Sequence, residues 1–290
     1  DRLKQIADST LRAIEAGHIT IGDVSHDLSA KIRFSTLHTL YYPPDSDLSS
    51  WSRSSPISRP HQSLASHPQT EYSVLEISTL DGVRLLNQHT RSSSPGSFGR
   101  VALLNFASAT KPGGGFLSGA QAQEESIARS STLYPSLIAK PASQFYALHG
   151  RDRAGGFYYD AMIYTPGVVV VRDDAGGWVE PEEADVLTSA AVNAGDVRNK
   201  NKVQRGEREI EERIVAAMRE RMGRILYLFE LQGARNLVLG SFGTGVFRND
   251  VDVVAALWAE LLSTRFKDSF ERVLFAVLGA ETFKTFKETF

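Results

Sequence analysis

Cysteine is missing from this chain. Its absence rules out disulfides, thiolate nucleophiles and Cys-ligated zinc or iron–sulfur centres. No apolar run approaches the roughly 20 residues that a membrane-spanning helix needs. The opening Asp1-Arg2-Leu3-Lys4 has no signal-peptide character. These absences suit an intracellular protein, in the cytoplasm or the nucleus. Charge of one sign is lacking too, since 32 basic and 34 acidic residues leave a formal net charge of −2. A surface coated in positive charge for nonspecific nucleic-acid binding is thereby excluded, although a local basic patch is not. The seven histidines are scattered, mainly in the N-terminal third, and form no compact His/Asp ligand cluster. What the chain does hold is core material. Hydrophobic residues make up 42% of 290, enough for one large domain or two small ones.

Residues 2–17 place Leu3, Ile6, Ala7, Leu11 and Ile14 at helical spacing and stop at Gly17. The run KIRFSTLHTLYY (31–42) alternates like a strand. From Pro43 to Gln69 the chain becomes rich in Ser and Pro, the composition of a long surface loop or linker. A regular alternation follows. Strands are expected at 72–78, 101–108, 185–192, 236–242 and 272–279, and extended segments around a Pro-Gly turn at 161–173. Helices are expected at 81–89, 123–139, 204–231, 250–262 and 281–289. This order predicts an α/β layer fold on a largely parallel sheet. Ligands of such sheets sit beyond the carboxyl ends of the strands. Three loops fall there, 109–122, 193–203 and 240–250, and two of them are glycine-rich.

The first glycine loop, Lys111-Pro112-Gly113-Gly114-Gly115-Phe116, follows an apolar strand. Glycines permit positive φ and let backbone N–H groups approach a ligand without interference from Cβ. The second, GSFGTGVFRND (240–250), leads from a strand into a helix start, an arrangement suited to phosphate. Neither carries the Lys-Ser/Thr of a Walker A loop or the GxGxxG spacing, which disfavours ordinary ATP hydrolysis and dinucleotide redox chemistry. Either loop alone reads equally as a tight turn. Both at strand ends of one sheet point to an anion or a nucleotide diphosphate.

Gln123-Glu124-Glu125 follows Gly115 by eight to ten positions, close enough to share its pocket. Two acids at a helix start are also favoured by the helix dipole alone. Adjacent helical residues point about 100° apart, so the two carboxyls are suited to different tasks. One carboxyl acting alone can protonate a leaving oxygen and then activate water. That differs from glycosidases with a carboxylate on each side of the scissile bond.

The segment GGGFLSGAQAQEES resembles the Gly-Gly-Gly…Gln-Glu-Glu signature of poly(ADP-ribose) glycohydrolases, the one-domain microbial type above all. The blocks 103–137, 160–174, 187–195 and 237–250 read like family blocks in the family's order, and the similarity runs from about Tyr72 to the C-terminus. The resemblance implies a three-layer α/β/α macrodomain with a mixed central sheet and an N-terminal helical extension. In that scheme residues 1–42 form the extension, 43–70 a loop or linker, and 71–290 the catalytic core. It also implies hydrolysis of the ribose–ribose O-glycosidic bond of poly(ADP-ribose), mainly from chain ends. Glu125 would be the acid/base, while Glu124 and Asn105 orient the terminal ribose. Gly113, Gly114 and Gly115 would wrap the diphosphate from one side. Gln123, Ser241, Gly243, Thr244, Gly245, Val246 and Phe247 complete the expected substrate contacts, with Phe247 packed on the ribose. The implied partners are poly(ADP-ribose) and poly(ADP-ribosyl)ated proteins, with ADP-ribose as product. No metal, cofactor, membrane or nucleic acid is implied.

Several residues stay outside this scheme. His149 is expected in a surface loop and Phe157, Tyr158 and Tyr159 in the core or a hairpin. Residues 198–209 (RNKNKVQRGERE) are expected as a solvated lead into a helix, with Arg and Lys able to steer an acidic polymer. Asn193-Ala194-Gly195 fits either a cleft lining or a simple turn. Two other functions use the same glycine loops: a reader of ADP-ribosylated proteins, which needs no acid at Glu125, and a hydrolase of mono-ADP-ribosylated side chains.

Overall fold

The computed structural model describes residues 1–57, 69–92, 100–151, 154–201 and 206–290. Seven strands form the central sheet: β3 (Leu40–Tyr42), β4 (Glu71–Leu75), β5 (Arg100–Phe106), β6 (Met162–Arg172), β7 (Trp178–Ser189), β8 (Ala234–Leu239) and β9 (Arg272–Ala276). Their spatial order is β3-β6-β7-β5-β8-β9-β4. The five strands from β7 to β4 run parallel, whereas β6 is antiparallel to β7 and β3 to β6. The sheet is mixed.

Because both faces are covered, β5 reads as an unbroken apolar run rather than an alternation. Ala102 and Leu104 face one core with α7 (Ala194–Asn201), α8 (Glu207–Leu231), α9 (Val251–Ser263) and α10 (Ala280–Thr289). Val101 and Leu103 face the other, with α3 (Thr79–Ser92), α4 (Gln123–Ser130), α5 (Leu133–Leu137) and α6 (Lys140–Arg151). Successive side chains of a strand point to opposite faces, so β5 serves both layers. The result is a three-layer α/β/α fold.

N-terminal to the sheet come α1 (Arg2–Ala16), the hairpin β1 (His18–Ile21) and β2 (Val24–Asp27), and α2 (Ser29–His38). The alternation at 31–42 therefore gives a helix followed by a three-residue strand, not one strand. The Asp27 side chain accepts the Ser29 N–H at 2.8 Å and opens the helix. Ser35 is buried and its hydroxyl donates to Gly167 O at 2.8 Å, so a small polar residue occupies a core-facing helical position. Hydrophobic periodicity has no sign for that.

The Pro-Gly turn expected within 161–173 is a bulge inside one continuous strand. Asp185 of β7 accepts the Gly167 N–H at 3.0 Å and the Tyr164 hydroxyl at 2.6 Å, which holds the extra residue in the sheet. The helix expected over 123–139 is broken at Ser131-Thr132, where Thr132 N–H donates to Val169 O and the Thr132 hydroxyl accepts Val169 N–H, both at 3.0 Å. Docking on β6 replaces helical bonds there. The Ser/Pro-rich stretch carries a short turn at Asp47–Ser50 with Leu48 and Trp51 buried. Its residues 58–68 lie outside those described.

His149 is not in a surface loop. It is buried on α6, where Nδ1 donates to Phe145 O at 2.8 Å and Nε2 accepts Tyr159 N–H at 3.2 Å. Burial pushes its pKa down, and the neutral ring satisfies both partners. Among the described residues no helix is long and apolar enough to cross a membrane.

Candidate active site

The carboxyl ends of β5, β7 and β8 deliver three connections to one edge of the sheet. β5 ends at Phe106, and its last backbone groups are gripped by the start of α4. Gln123 Oε1 accepts Phe106 N–H at 2.8 Å, and Nε2 donates to Leu104 O at 2.7 Å and Thr79 Oγ1 at 3.1 Å. The Gln123 amide thus behaves like one more residue of sheet, tying α4 to β5. Its polar atoms are engaged with protein.

Glu124 is 2% exposed. Oε1 accepts Ser108 N–H at 2.8 Å and Oε2 accepts Asn105 Nδ2–H at 3.0 Å. Asn105 also donates to Thr188 Oγ1 at 3.2 Å, while its Oδ1 is buried with no protein partner. Burial raises the Glu124 pKa to about 8; the Ser108 and Asn105 hydrogen bonds oppose the shift and the Glu125 charge adds to it. Burial wins, so Glu124 holds its proton near neutral pH.

Glu125 stands differently. It is half-buried, and Oε1 accepts Gly115 N–H at 3.0 Å. The glycine turn is shaped around that contact. Gly113 and Gly114 have φ of 71° and 60°, where a Cβ is strained. A Cβ on Gly114 would collide with Glu125 Oε1 and lie 3.1 Å from Glu124 Oε1. Arg129, one helical turn on, donates to Ala120 O at 3.3 Å, and Glu125 is the main anionic charge acting on it.

Across the cleft, the loop after β8 is fixed from below. Trp258 Nε1 donates to Gly240 O at 3.0 Å. Gly243 has φ 74°, and a Cβ there would sit 2.7 Å from Asn249 Nδ2. Asn249 donates to Val192 O at 2.8 Å and Gly243 O at 2.9 Å. Thr244 turns inward on Ser241 O at 2.9 Å. Gly245 and Val246 are exposed, Val246 at 86%, and the Phe247 ring lies 5.8 Å from that of Tyr158. The structure therefore gathers Asn105, the three glycines, the acid pair and the 241–247 loop along one sheet edge.

The profile described as "Microbial-type PARG, catalytic domain" matches residues 7–173, more than half of the chain. The chain belongs to the microbial-type poly(ADP-ribose) glycohydrolases. The fold agrees with this family along its full length. The crystal structure of poly(ADP-ribose) glycohydrolase from Thermomonospora curvata is 37% identical with a TM-score of 0.84, over 100% of this chain and 99% of that one. The same enzyme bound to the inhibitor ADP-HPD gives a TM-score of 0.82 at 37% identity and the same coverage. The Deinococcus radiodurans glycohydrolase in complex with ADP-ribose is 34% identical, with a TM-score of 0.75 over 89% of this chain and 96% of that one. Comparison with curated protein sequences finds no match. As a member of the poly(ADP-ribose) glycohydrolases, this chain is a hydrolase.

The glycohydrolase cleft also uses residues that the sequence left aside. Ser108 clamps Glu124 through its backbone N–H, a role no side-chain pattern announces. Tyr158 faces Phe247 from a strained backbone with φ 54°, and a bond from Asn193 N to Gly156 O holds that segment at 2.8 Å. Arg221 is buried and reaches the same segment, donating to Asp160 Oδ1 at 3.0 Å and Phe157 O at 2.8 Å. The loop expected at 193–203 is largely helix α7. Asn193 Oδ1 accepts Asp196 N–H at 3.0 Å and caps it, and Asn before a helix is the signal that could have found it.

Proposed function

We propose that the chain hydrolyses the ribose–ribose O-glycosidic bond of poly(ADP-ribose), mainly from chain ends, with Glu125 as general acid/base. The observation that carries this reading is the division of labour in the acid pair. Glu124 is buried and held by Asn105 and Ser108, whereas Glu125 is half-buried and tethered by one N–H of the glycine turn. A carboxyl clamped on both oxygens suits orienting a ligand, and one held by a single N–H suits moving a proton.

In the proposed reaction Glu124 and Asn105 hold the hydroxyls of the terminal ribose. Glu125 donates a proton to the departing ribose oxygen as positive charge develops at the anomeric carbon. The substrate's own diphosphate stabilises that charge, enclosed by Gly113, Gly114 and Gly115 on one side and by Ser241 and Gly243 to Phe247 on the other. The carboxylate left on Glu125 then accepts a proton from the attacking water. Gln123 supports this set by tying α4 to β5. That solved relatives hold ADP-ribose and ADP-HPD supports ADP-ribose as the unit bound.

The test is a product analysis on poly(ADP-ribosyl)ated protein. Free ADP-ribose should dominate from the first time points. Oligomers as the main early product would overturn the chain-end reading, and no product with ADP-ribose still bound would leave a reader.

A further inference from the structure

Tyr158, from the aromatics 157–159, and α7, with Asp196 and Lys200, meet beside the cleft; residues 202–205 of the charged stretch lie outside those described. A cavity of about 490 Å³ is lined there by Thr110, Tyr158, Asp196 and Lys200. Its walls grow out of the cleft's own loops. Thr110 precedes the glycine turn, and Ser108 Oγ accepts Lys111 N–H at 3.2 Å. Tyr158 stands against Phe247 at 5.8 Å, and Gly195 N–H donates to Phe247 O at 3.1 Å. Lys200 sits one helical turn beyond Asp196, whose carboxylate accepts its ammonium at 2.8 Å. The Arg248 side chain lies on Gly195, and Lys111 is exposed at the root of the glycine turn. Among the described residues neither Lys111 nor Arg248 has an ion-pair partner.

We propose that this cavity is a second subsite, which takes the ADP-ribose unit adjoining the one in the cleft, with Lys200, Lys111 and Arg248 facing its diphosphate. It rests on the reading of the cleft as the site of the terminal unit. In that reading the two glycine loops enclose a single diphosphate inside the cleft. Lys200 lines the cavity beside the Tyr158–Phe247 pair, and Lys111 and Arg248 are exposed on the loops that adjoin it, so a group continuing past that pair can meet them. A polymer of ADP-ribose continues in that way and repeats an anionic diphosphate in every unit. Tyr158 offers a ring face for the sugar or base of that unit, and Asp196 accepts from hydroxyls. Exposed cations of this kind contribute little singly and are screened by salt, so the subsite adds affinity for polymer without altering the hold on a single unit.

Titration calorimetry tests this in a Glu125→Gln background, where the oligomer is not consumed. The probes are ADP-ribose and a linear ADP-ribose dimer, at low and high salt. Lys200→Gln should weaken the dimer about threefold at low salt, and Lys200→Gln with Lys111→Gln about tenfold. The gap should close at high salt, and the Kd for ADP-ribose should stay within about twofold throughout, since exposed lysines perturb little else. Unchanged dimer binding in the double variant would overturn the subsite. So would equal weakening of both ligands, which would place the cations on the terminal unit. Absence of turnover by the intact chain would sink the proposed hydrolysis but leave this comparison standing, and failure of both ligands to bind would end both readings.

Discussion

Gly114 is the narrowest point of the site, because its missing Cβ is what lets Glu125 reach the N–H of Gly115. Gly114→Ala would push the carboxyl away at a φ of 60°. The expected outcome is a fall in turnover of about a hundredfold, the cost of misplacing a reacting group by about 1 Å, with an unchanged circular dichroism spectrum. Turnover within a factor of two would contradict that role. Glu124 carries a different signature. Its carboxyl is raised from 4.5 to about 8 by burial, so the folded state binds its proton more tightly than the unfolded chain. The resulting stability is fully present below pH 4.5 and is lost as pH rises through about 8. Urea midpoints measured across that window should fall with pH more steeply for the wild type than for Glu124→Gln. Equal slopes would show that the shift is absent. The sequence offered both acids as a pair but not which was buried, since that depends on Asn105 of β5 and Ser108 just beyond it.

At the scale of elements, α1 is latched to the acid-bearing helix by a single hydroxyl. Thr10 Oγ1 donates to Arg129 O at 2.6 Å and accepts Arg172 Nε–H at 2.7 Å, all in a buried setting. Thr10→Val leaves a buried carbonyl and a guanidinium N–H unpaired, so it should cost about 1–3 kcal/mol, read as a lowered urea midpoint. Thr10→Ser should restore most of it, and a Thr10→Val protein as stable as wild type would refute the latch. Nothing in the pattern of α1 announces this contact, since its partners lie more than a hundred residues away in sequence. The long parallel strands and amphipathic helices were legible because burial on two faces or one writes a period into the sequence. Helix α2 and the bulge at Gly167 were not, because Ser35, Gly167 and Asp185 hold them through polar contacts that carry no hydrophobic period.

At the scale of the whole molecule, the crossing order β7-β5-β8 sets the two glycine loops and the acid pair side by side at one sheet edge. Alternating strands and helices foretold that edge, and the two glycine loops were expected on it. The anchoring of residues 43–57 was hidden, because it rests on the isolated apolar side chains Leu48 and Trp51. The Trp51 indole donates to Glu220 Oε2 at 2.9 Å and stacks 6.0 Å from Phe266, and only a glycine at 223 leaves room for it. Trp51→Ala should cost about 3–5 kcal/mol in thermal or urea unfolding while leaving ADP-ribose affinity unchanged, because the indole packs on Glu220, Gly223 and Phe266, none of them a cleft residue. A loss below about 1 kcal/mol would mean the stretch is not anchored there. The central claim is that one carboxyl, Glu125, performs the proton transfers within this frame. Its most direct test compares ADP-ribose release from poly(ADP-ribosyl)ated protein by the wild type and by Glu125→Gln, with ADP-ribose affinity measured on both. The account predicts that the variant loses turnover by at least about a hundredfold, in the range expected of a general acid/base, while still binding ADP-ribose. Comparable release by the variant would contradict it.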